Sequence, residues 1–261
     1  MKDLNFLTIS CGVIVLFNAC SAQPTHTDSS IVLTVKNTII SRFLPPSGFT
    51  TTVSDDNSFG KYLQTISLKP VNSEVHYFDG RVKPNKNIYC AVIDQEIDPI
   101  DLQQCADAVM RLRGEFLFAE EKYDQIKFNF LSDGKPRYFT VYSNGNHTYS
   151  NFRKYMKYIF NYANTGSLKN EMTPVTDIQE IQIGDVFIQA GNPYGHAVIV
   201  VNLAQDDHGN KKMMLAQSYM PAQETQVLLN PEINESPWFD VRDGSLLTPE
   251  WDFKSSDLRR F

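Results

Sequence analysis

Basic residues are scarce in this chain of 261 residues. Lysine and arginine total 24 against 30 aspartate and glutamate residues, which gives a formal net charge of −6 at pH 7. Such a chain has no positive field that would gather phosphates, so we expect no nucleic-acid partner. Glycine and proline number only 13 each, which excludes a collagen-like or low-complexity protein.

Several other signals are missing as well. The sequence has no glycine-rich phosphate loop and no cluster with the spacing of metal ligands, so we expect no cofactor and no metal. After residue 35 there is no internal repeat, no long linker and no apolar run that could cross a membrane. Because 42% of the residues are hydrophobic, the chain can build a core, and we expect a single compact domain over residues 36–261.

An apolar run occupies residues 4–17, close to the start of the chain. A permanent membrane helix needs about 20 apolar residues, so this run is too short to be one. Its length and position are typical of a signal peptide, here over residues 1–19. The chain is therefore expected to be exported.

The end of this run, Leu-Phe-Asn-Ala-Cys at residues 16–20, resembles a bacterial lipobox. That resemblance implies that Cys20 is acylated after cleavage, and residues 20–35 then form the anchor and a polar tether. Acyl chains would make the membrane a partner of the protein. With Ser21 behind the anchor, the resemblance to lipoprotein sorting rules favours the outer membrane, facing the periplasm. Ordinary secretion is the alternative.

Helical patterns come early in the chain and strand patterns come late. Ser58 predicts the cap of an amphipathic helix, Asp98-Pro99 predicts the start of a helix that runs to Phe118, and an aromatic stripe predicts a third helix around residues 152–160. The predicted strands cover residues 75–82 (a hairpin with its turn at 79–80), 88–93, 126–130, 138–142, 186–188, 196–203, 212–217 and 225–229. This order favours an α+β domain in which the helix that bears Cys105 packs on an antiparallel sheet.

Two of the four cysteines remain in the predicted folded part. Cys11 leaves with the signal peptide and Cys20 carries the lipid, which leaves Cys90 and Cys105. In an oxidising compartment these two could pair as a disulfide. That pairing is the alternative to any chemistry at Cys105.

Cys105 and His196 could act together. A cysteine in the first turns of a helix lies near the positive end of the helix dipole, which favours the thiolate. A thiolate needs an imidazole beside it, and His196 starts an apolar strand that would hold the ring still. The remaining histidines lie in the tether, in polar turns or at a hairpin strand: His26, His76, His147 and His208. The alternative for His196 is a core histidine with satisfied hydrogen bonds.

The order of these motifs resembles the papain-like cell-wall cysteine hydrolases of the CHAP and NlpC types. The matching residues are Gln104-Cys105, then Gly-Asp-Val at 184–186, then Gly195-His196 with the apolar strand behind it. The resemblance covers roughly residues 98–220. It implies a papain-like α+β fold with extra N-terminal helix and hairpin elements, and a cysteine amidase or peptidase that cleaves peptidoglycan peptides. Over nearly all of its mature length, and especially at residues 215–223 and 248–251, the chain also resembles an uncharacterised lipoprotein domain family, which implies no activity.

In the CHAP and NlpC-type hydrolases a third polar residue on the next strand orients the imidazole. The resemblance therefore implies this role for Gln217. Ser218 points to the opposite face, so an error of one residue in register would exchange the two. The oxyanion would be met by the backbone N–H of Cys105 and by the side chain of Gln104 or Gln103. We expect Asp107 and Asp185 to be structural, Asp185 closing the turn after Gly184.

The chain departs from the NlpC pattern at two points. Ala106-Asp107 follows the cysteine where Ser-Gly is usual, and His196 comes 91 positions after Cys105. The extra length holds the predicted helix at 152–160. This helical insertion either forms a lid over the site or indicates a different topology.

The leading hypothesis is a lipid-anchored envelope hydrolase with Cys105 as nucleophile, His196 as acid and base, and Gln217 as the orienting group. The alternative is a catalytically inactive papain-like lipoprotein that serves as a binding scaffold. A third interpretation treats the aromatic surface around Trp238 and Trp251 as a carbohydrate platform. The sequence leaves the oligomeric state open.

Overall fold

The structure is a computed structural model, and it describes residues 37–191, 193–233 and 235–261. The predicted signal peptide over 1–19, the lipid attachment at Cys20 and the tether over 20–35 lie outside the described residues. None of the helices in the described part combines the length and the apolar character that a membrane crossing needs.

The described residues form six α-helices and thirteen β-strands, with short 3-10 turns between some of them. The helices are α1 (Ile39–Arg42), α2 (Phe59–Thr65), α3 (Cys105–Ala119), α4 (Phe139–Ser143), α5 (Tyr149–Phe160) and α6 (Thr165–Glu171). The strands are β1 (Phe49–Thr51), β2 (Tyr89–Val92), β3 (Lys127–Asn129), β4 (Pro136–Tyr138), β5 (Thr173–Pro174), β6 (Val186–Gln189), β7 (His196–Asp206), β8 (Lys211–Gln217), β9 (Gln226–Leu228), β10 (Phe239–Asp240), β11 (Ser245–Leu247), β12 (Asp252–Lys254) and β13 (Leu258–Arg260).

Nine of these strands form one sheet, and its strand pairs are antiparallel. The sheet runs in the order β2-β9-β8-β7-β6-β13-β5, with β1 also paired to β7 and β10 to β8. Helix α3 packs on β7. The chain is therefore a mixed α+β protein with a mostly antiparallel sheet, as the order of sequence patterns predicts.

Strand β7 is apolar at nearly every position because both of its faces are buried. Ala197 and Ile199 face the core that contains α3 and α5, whereas Val198 and Val200 face a second core on the other side of the sheet. Since side chains alternate along a strand, His196 leaves β7 on the side of the second core. The ring of His196 accordingly lies 5.9 Å from Phe253, a member of that core.

Helix α3 begins at Cys105, six residues later than the Asp98-Pro99 signal predicts. The Asp98 carboxylate does not cap a helix, because it accepts a hydrogen bond from Arg153 at 2.8 Å and pairs with Lys157 at 3.0 Å. The cap forms at Gln104 instead, whose N–H donates to Asp107 Oδ2 at 3.0 Å. The predicted start is wrong, and Cys105 is the first residue of the helix.

Two further predicted elements differ from the structure. Residues 139–143 form helix α4 where the sequence pattern predicts a strand: Phe139 and Ser143, one helical turn apart, are both buried, while Val141 between them is 78% exposed. The hairpin predicted over 75–82 has its turn at Gly80, with φ of +85°, but only a single bridge joins His76 to Val82. The remaining predicted strands and the helices at α2 and α5 are confirmed.

Candidate functional site

The thiol of Cys105 lies at the N-terminal end of α3 and against the start of β7. Its Sγ is 3.8 Å from the carbonyl oxygen of Gly195 and lies beside the backbone N–H of Ala197. These two residues flank His196 in the sequence. The fold therefore brings the predicted nucleophile to the backbone on both sides of the predicted base.

Gly195 permits this close approach. A Cβ at this position would lie 2.5 Å from Oγ1 of Thr165 and closer still to the carbonyl oxygen of Gln189. No larger residue fits there without a shift of the backbone. A glycine is therefore required before His196, because the β6–β7 connection packs tightly against α6.

The imidazole of His196 is fully buried and held by one strong hydrogen bond. Its Nε2 lies 2.8 Å from Oε1 of Gln217 on the neighbouring strand β8. The rings of Tyr219, Trp251 and Phe253 surround it at centroid distances of 4.8, 5.5 and 5.9 Å. The register is the predicted one, since Ser218 turns the other way and donates to the carbonyl of Gln223 at 2.7 Å.

A buried ion pair fixes the orientation of the Gln217 amide. Nε2 of Gln217 donates to Oε2 of Glu250 at 2.6 Å, and the same oxygen accepts from Nζ of Lys83 at 2.7 Å. A carboxylate paired with an ammonium is an acceptor only, so the amide NH₂ must face Glu250 and the amide oxygen must face His196. His196 therefore carries its proton on Nε2, and its Nδ1 is left as a bare acceptor.

Nδ1 of His196 has no hydrogen-bond partner among the described residues, and that includes the thiol of Cys105. Burial lowers the pKa of His196 to about 4, although the hydrogen bond to Gln217 opposes this. Burial and the nearby Asp107 raise the pKa of Cys105 to about 12. The two groups are thus neutral at pH 7, whereas the helix position of Cys105 predicts a thiolate. Burial outweighs the helix dipole here.

The two glutamines before Cys105 differ in their contacts. Gln104, the predicted oxyanion donor, donates from Nε2 to Oδ1 of Asp101 at 3.0 Å. Gln103 is buried and accepts from Arg111 at 3.0 Å, while its Nε2 has no partner within the described ranges. The side-chain NH₂ of Gln103 is therefore buried without an acceptor among the described residues, whereas the side-chain NH₂ of Gln104 already donates one hydrogen bond.

A groove with a volume of about 250 Å³ opens in front of Cys105. Cys105 borders it, whereas His196 and Gln217 are not among the residues that line it. Phe160, at the end of α5, and the residues that lead into α6 form one side, so the helical insertion borders the site. Asp107 also borders the groove; its Oδ1 has no partner among the described residues, and burial raises its pKa to about 7.

Two further expectations from the sequence concern the Cys90–Cys105 disulfide and the role of Asp185. Cys90 and Cys105 are both free thiols, and Cys90 Sγ lies 3.7 Å from the carbonyl oxygen of Val227, so the disulfide is not formed. Asp185 is structural: it accepts from the Gln182 N–H and from Arg260.

Neither tryptophan offers a free platform. The indole of Trp238 is buried and donates to the carbonyl of Leu44, and that of Trp251 donates to Gln189. In the part of the chain that the structure describes, no group of three His, Cys, Asp or Glu side chains could hold a metal.

Sequence reasoning missed Lys83 and Glu250. Lys83 follows a turn and Glu250 follows Pro249, in stretches with no regular hydrophobic pattern. Nothing in the local sequence indicates that they meet at Gln217, because 167 positions separate them.

Comparison with known proteins places the chain in a family. No curated protein and no solved structure matches it significantly. The family model described as "Domain of unknown function (4846)" matches residues 39–149 and residues 134–260. These two segments span nearly all of the described chain, which therefore belongs to this family of unknown function.

Proposed function

We propose that this protein is an envelope-anchored cysteine amidase or peptidase with a papain-like active site. The observation that carries the proposal is the state of His196. Gln217 and Glu250 fix its proton on Nε2, so Nδ1 is bare, and the thiol of Cys105 lies against the backbone on both sides of it. A bare imidazole nitrogen can act as a general base towards a thiol that comes within hydrogen-bond reach.

The proposed reaction starts from the neutral thiol. The sulfur of Cys105 attacks the carbonyl carbon of the amide while its proton passes to Nδ1 of His196. The backbone N–H of Cys105 and the free amide of Gln103 meet the oxyanion. The C–N bond then breaks, the leaving amine takes the proton from Nδ1, and a thioester remains. Water hydrolyses the thioester with the same base, which regenerates the thiol.

Peptide amides of peptidoglycan are the proposed substrate class. The support is the resemblance of the ordered Gln-Cys, Gly-Asp-Val and Gly-His motifs to cell-wall hydrolases. The signal-peptide and lipobox patterns of residues 1–20 support export and attachment through Cys20. A lipid anchor would hold the groove close to the wall polymer, which raises the local substrate concentration.

Purified peptidoglycan fragments provide the direct test. The full chain should release new amino and carboxyl termini, detected by mass spectrometry, and Cys105→Ala should lower the rate by about 10⁴-fold or more if the residues act as a unit. Cys90→Ala is the matched control, since Cys90 is also a free thiol, half-buried, whose sulfur lies 3.7 Å from the carbonyl oxygen of Val227. If Cys105→Ala and Cys90→Ala cleave equally well, the proposal is wrong.

A second candidate function is an inactive scaffold that binds a partner through the same groove. The observation in its favour is the burial of both reactive groups, which raises the pKa of Cys105 to about 12 and lowers that of His196 to about 4. A peptide that carries a nitrile or vinyl sulfone separates the two. Covalent capture by Cys105 and not by Cys90 supports the hydrolase, and reversible binding that survives Cys105→Ala supports the scaffold.

A further inference from the structure

A second cavity, with a volume of about 450 Å³, lies away from the groove of Cys105. It is bordered by the start of α2, by the turn over residues 181–185 and by the last two residues of the chain, and it shares no lining residue with the groove. The proposed hydrolase has no use for it. Its own side chains determine which ligand it can bind.

The cavity is bordered by two arginines and two aspartates, and one of the arginines has no hydrogen-bond partner among the described residues. The guanidinium of Arg113, which projects from α3, lies over the rings of Phe59, Phe116 and Phe261 at 5.0, 5.4 and 5.3 Å. Within the described residues it makes no hydrogen bond, and no carboxylate lies within 4.0 Å of it. The other arginine of the cavity, Arg260, is paired with Asp185 through Nε and one of its terminal nitrogens.

Aromatic rings stabilise a cation but do not replace an anion. Each ring contributes about 0.5–2 kcal/mol, and rings accept the five N–H groups of a guanidinium only weakly. Burial lowers the pKa of Arg113, so the surroundings disfavour its charge. Arg113 is only half-buried, so water reaches part of the guanidinium. A bound anion would supply the hydrogen-bond acceptors that Arg113 lacks within the described residues.

The other side chains that line the cavity indicate the chemistry of a ligand that would fit it. Phe59, Ile183 and Leu203 provide apolar surface, and Ser54 Oγ makes no hydrogen bond within the described part of the chain. A guanidinium presents parallel N–H groups that match the two oxygens of a carboxylate. An apolar body attached to that carboxylate would fit against the three hydrophobic side chains.

We propose that this cavity binds a small organic carboxylate, with the carboxylate on Arg113 and the apolar body against Phe59, Ile183 and Leu203. Ser54 donates a further hydrogen bond to the anion. The site is independent of the proposed amidase activity, and its test uses binding alone.

Calorimetric titration of the full chain with hexanoate is the first measurement. We expect saturable binding at one site, with no measurable binding of hexanol, which has the same body without the charge. Arg113→Gln should weaken binding at least tenfold, and Arg113→Lys should weaken it less, since it keeps the charge but not the paired donors. Arg242→Gln is the matched control, because Arg242 is an exposed arginine that is already paired with Glu232.

Three results would overturn the proposal. They are the absence of saturable hexanoate binding up to about 10 mM, where even a weak site would fill, equal binding of hexanoate and hexanol, and unchanged affinity in Arg113→Gln. Inorganic phosphate that binds as tightly as hexanoate would contradict the role of the apolar walls. Should Arg113→Gln fail to fold, Ser54→Ala and Arg113→Lys still test the site, and a hexanoate affinity equal to wild type in both would count against it.

Discussion

Removal of the Glu250 carboxylate should cost much more stability than removal of an exposed glutamate. The side chain of Lys83 is only 3% exposed, and Glu250 is its sole charged partner among the described residues, at 2.7 Å. In Glu250→Ala the ammonium keeps the amide oxygen of Gln223 and the ring of Tyr219, 5.7 Å away, and Nε2 of Gln217 loses its acceptor. Breaking a buried pair from one side costs about 3–5 kcal/mol. Since the side chain of Glu250 is itself 20% exposed, water replaces part of the interaction, and we expect about 3 kcal/mol.

Urea unfolding measures this cost as a shift of the midpoint at constant slope. Glu232→Ala is the control: Glu232 pairs with Arg242 at 2.9 Å, but its side chain is 46% exposed, so the loss should stay below about 1 kcal/mol. The double variant Lys83→Met/Glu250→Ala removes the stranded charge and should recover most of the loss.

The pH dependence gives an independent check. The pKa of Lys83 is already lowered by burial and is partly supported by Glu250, so Glu250→Ala lowers it further. A base with a lowered folded-state pKa gains stability as pH rises towards its unfolded value, so the deficit of Glu250→Ala should shrink with rising pH. Equal losses in Glu250→Ala and Glu232→Ala, or additive losses in the double variant, would refute the buried network.

Four other predictions concern the thiol and its surroundings. Burial lowers the pKa of His196 to about 4, so amide hydrolysis should fall only as pH approaches 4, and an acid limb near 6.5 would contradict its role as base. For the same reason the wild type should lose stability relative to His196→Gln as pH falls from 6.5 to about 4, because the unfolded chain takes up the proton first. Asp107→Asn removes a charge that raises the pKa of Cys105, so Cys105 should react faster with iodoacetamide near about pH 8, with the rate at Cys90 as internal control; an unchanged Cys105 rate would count against this. Gly195→Ala should cost about 1–3 kcal/mol in urea unfolding because its Cβ has no room, and a loss below about 0.5 kcal/mol would show that the β6–β7 connection can shift.

Much of the fold could be predicted because its central strands, β6 to β9, are buried on both faces. The apolar runs of β7 and β8 indicate strands from local sequence alone, and the turn between them is rich in glycine, asparagine and aspartate. These patterns predict that β7 pairs with β8, and the structure has this pair with Gln217 beside His196. The α+β class could therefore be predicted without knowledge of the strand order.

The start of α3 could not be predicted because a tertiary contact decides it. Asp98 before Pro99 is a strong local signal for a helix start, but the Asp98 carboxylate is taken by Arg153 and Lys157 of α5. The same limit applies to Lys83 and Glu250, which meet only in the folded chain. Local patterns indicate which residues are buried, and they do not indicate which polar side chains share a buried network.

The energies at Cys105 decide how the thiol could be activated. The dipole at a helix N-terminus contributes typically 0.3–1 kcal/mol and at most about 2 kcal/mol in favour of the thiolate. The rise of the Cys105 pKa from 9.0 to about 12 corresponds to about 4 kcal/mol against it, so burial and Asp107 together exceed the dipole. A resting thiolate–imidazolium pair is therefore disfavoured twice, since His196 with a pKa of about 4 also resists protonation. In the proposed mechanism the proton therefore passes to Nδ1 during the attack itself, and that step requires the Nε2–H tautomer of His196.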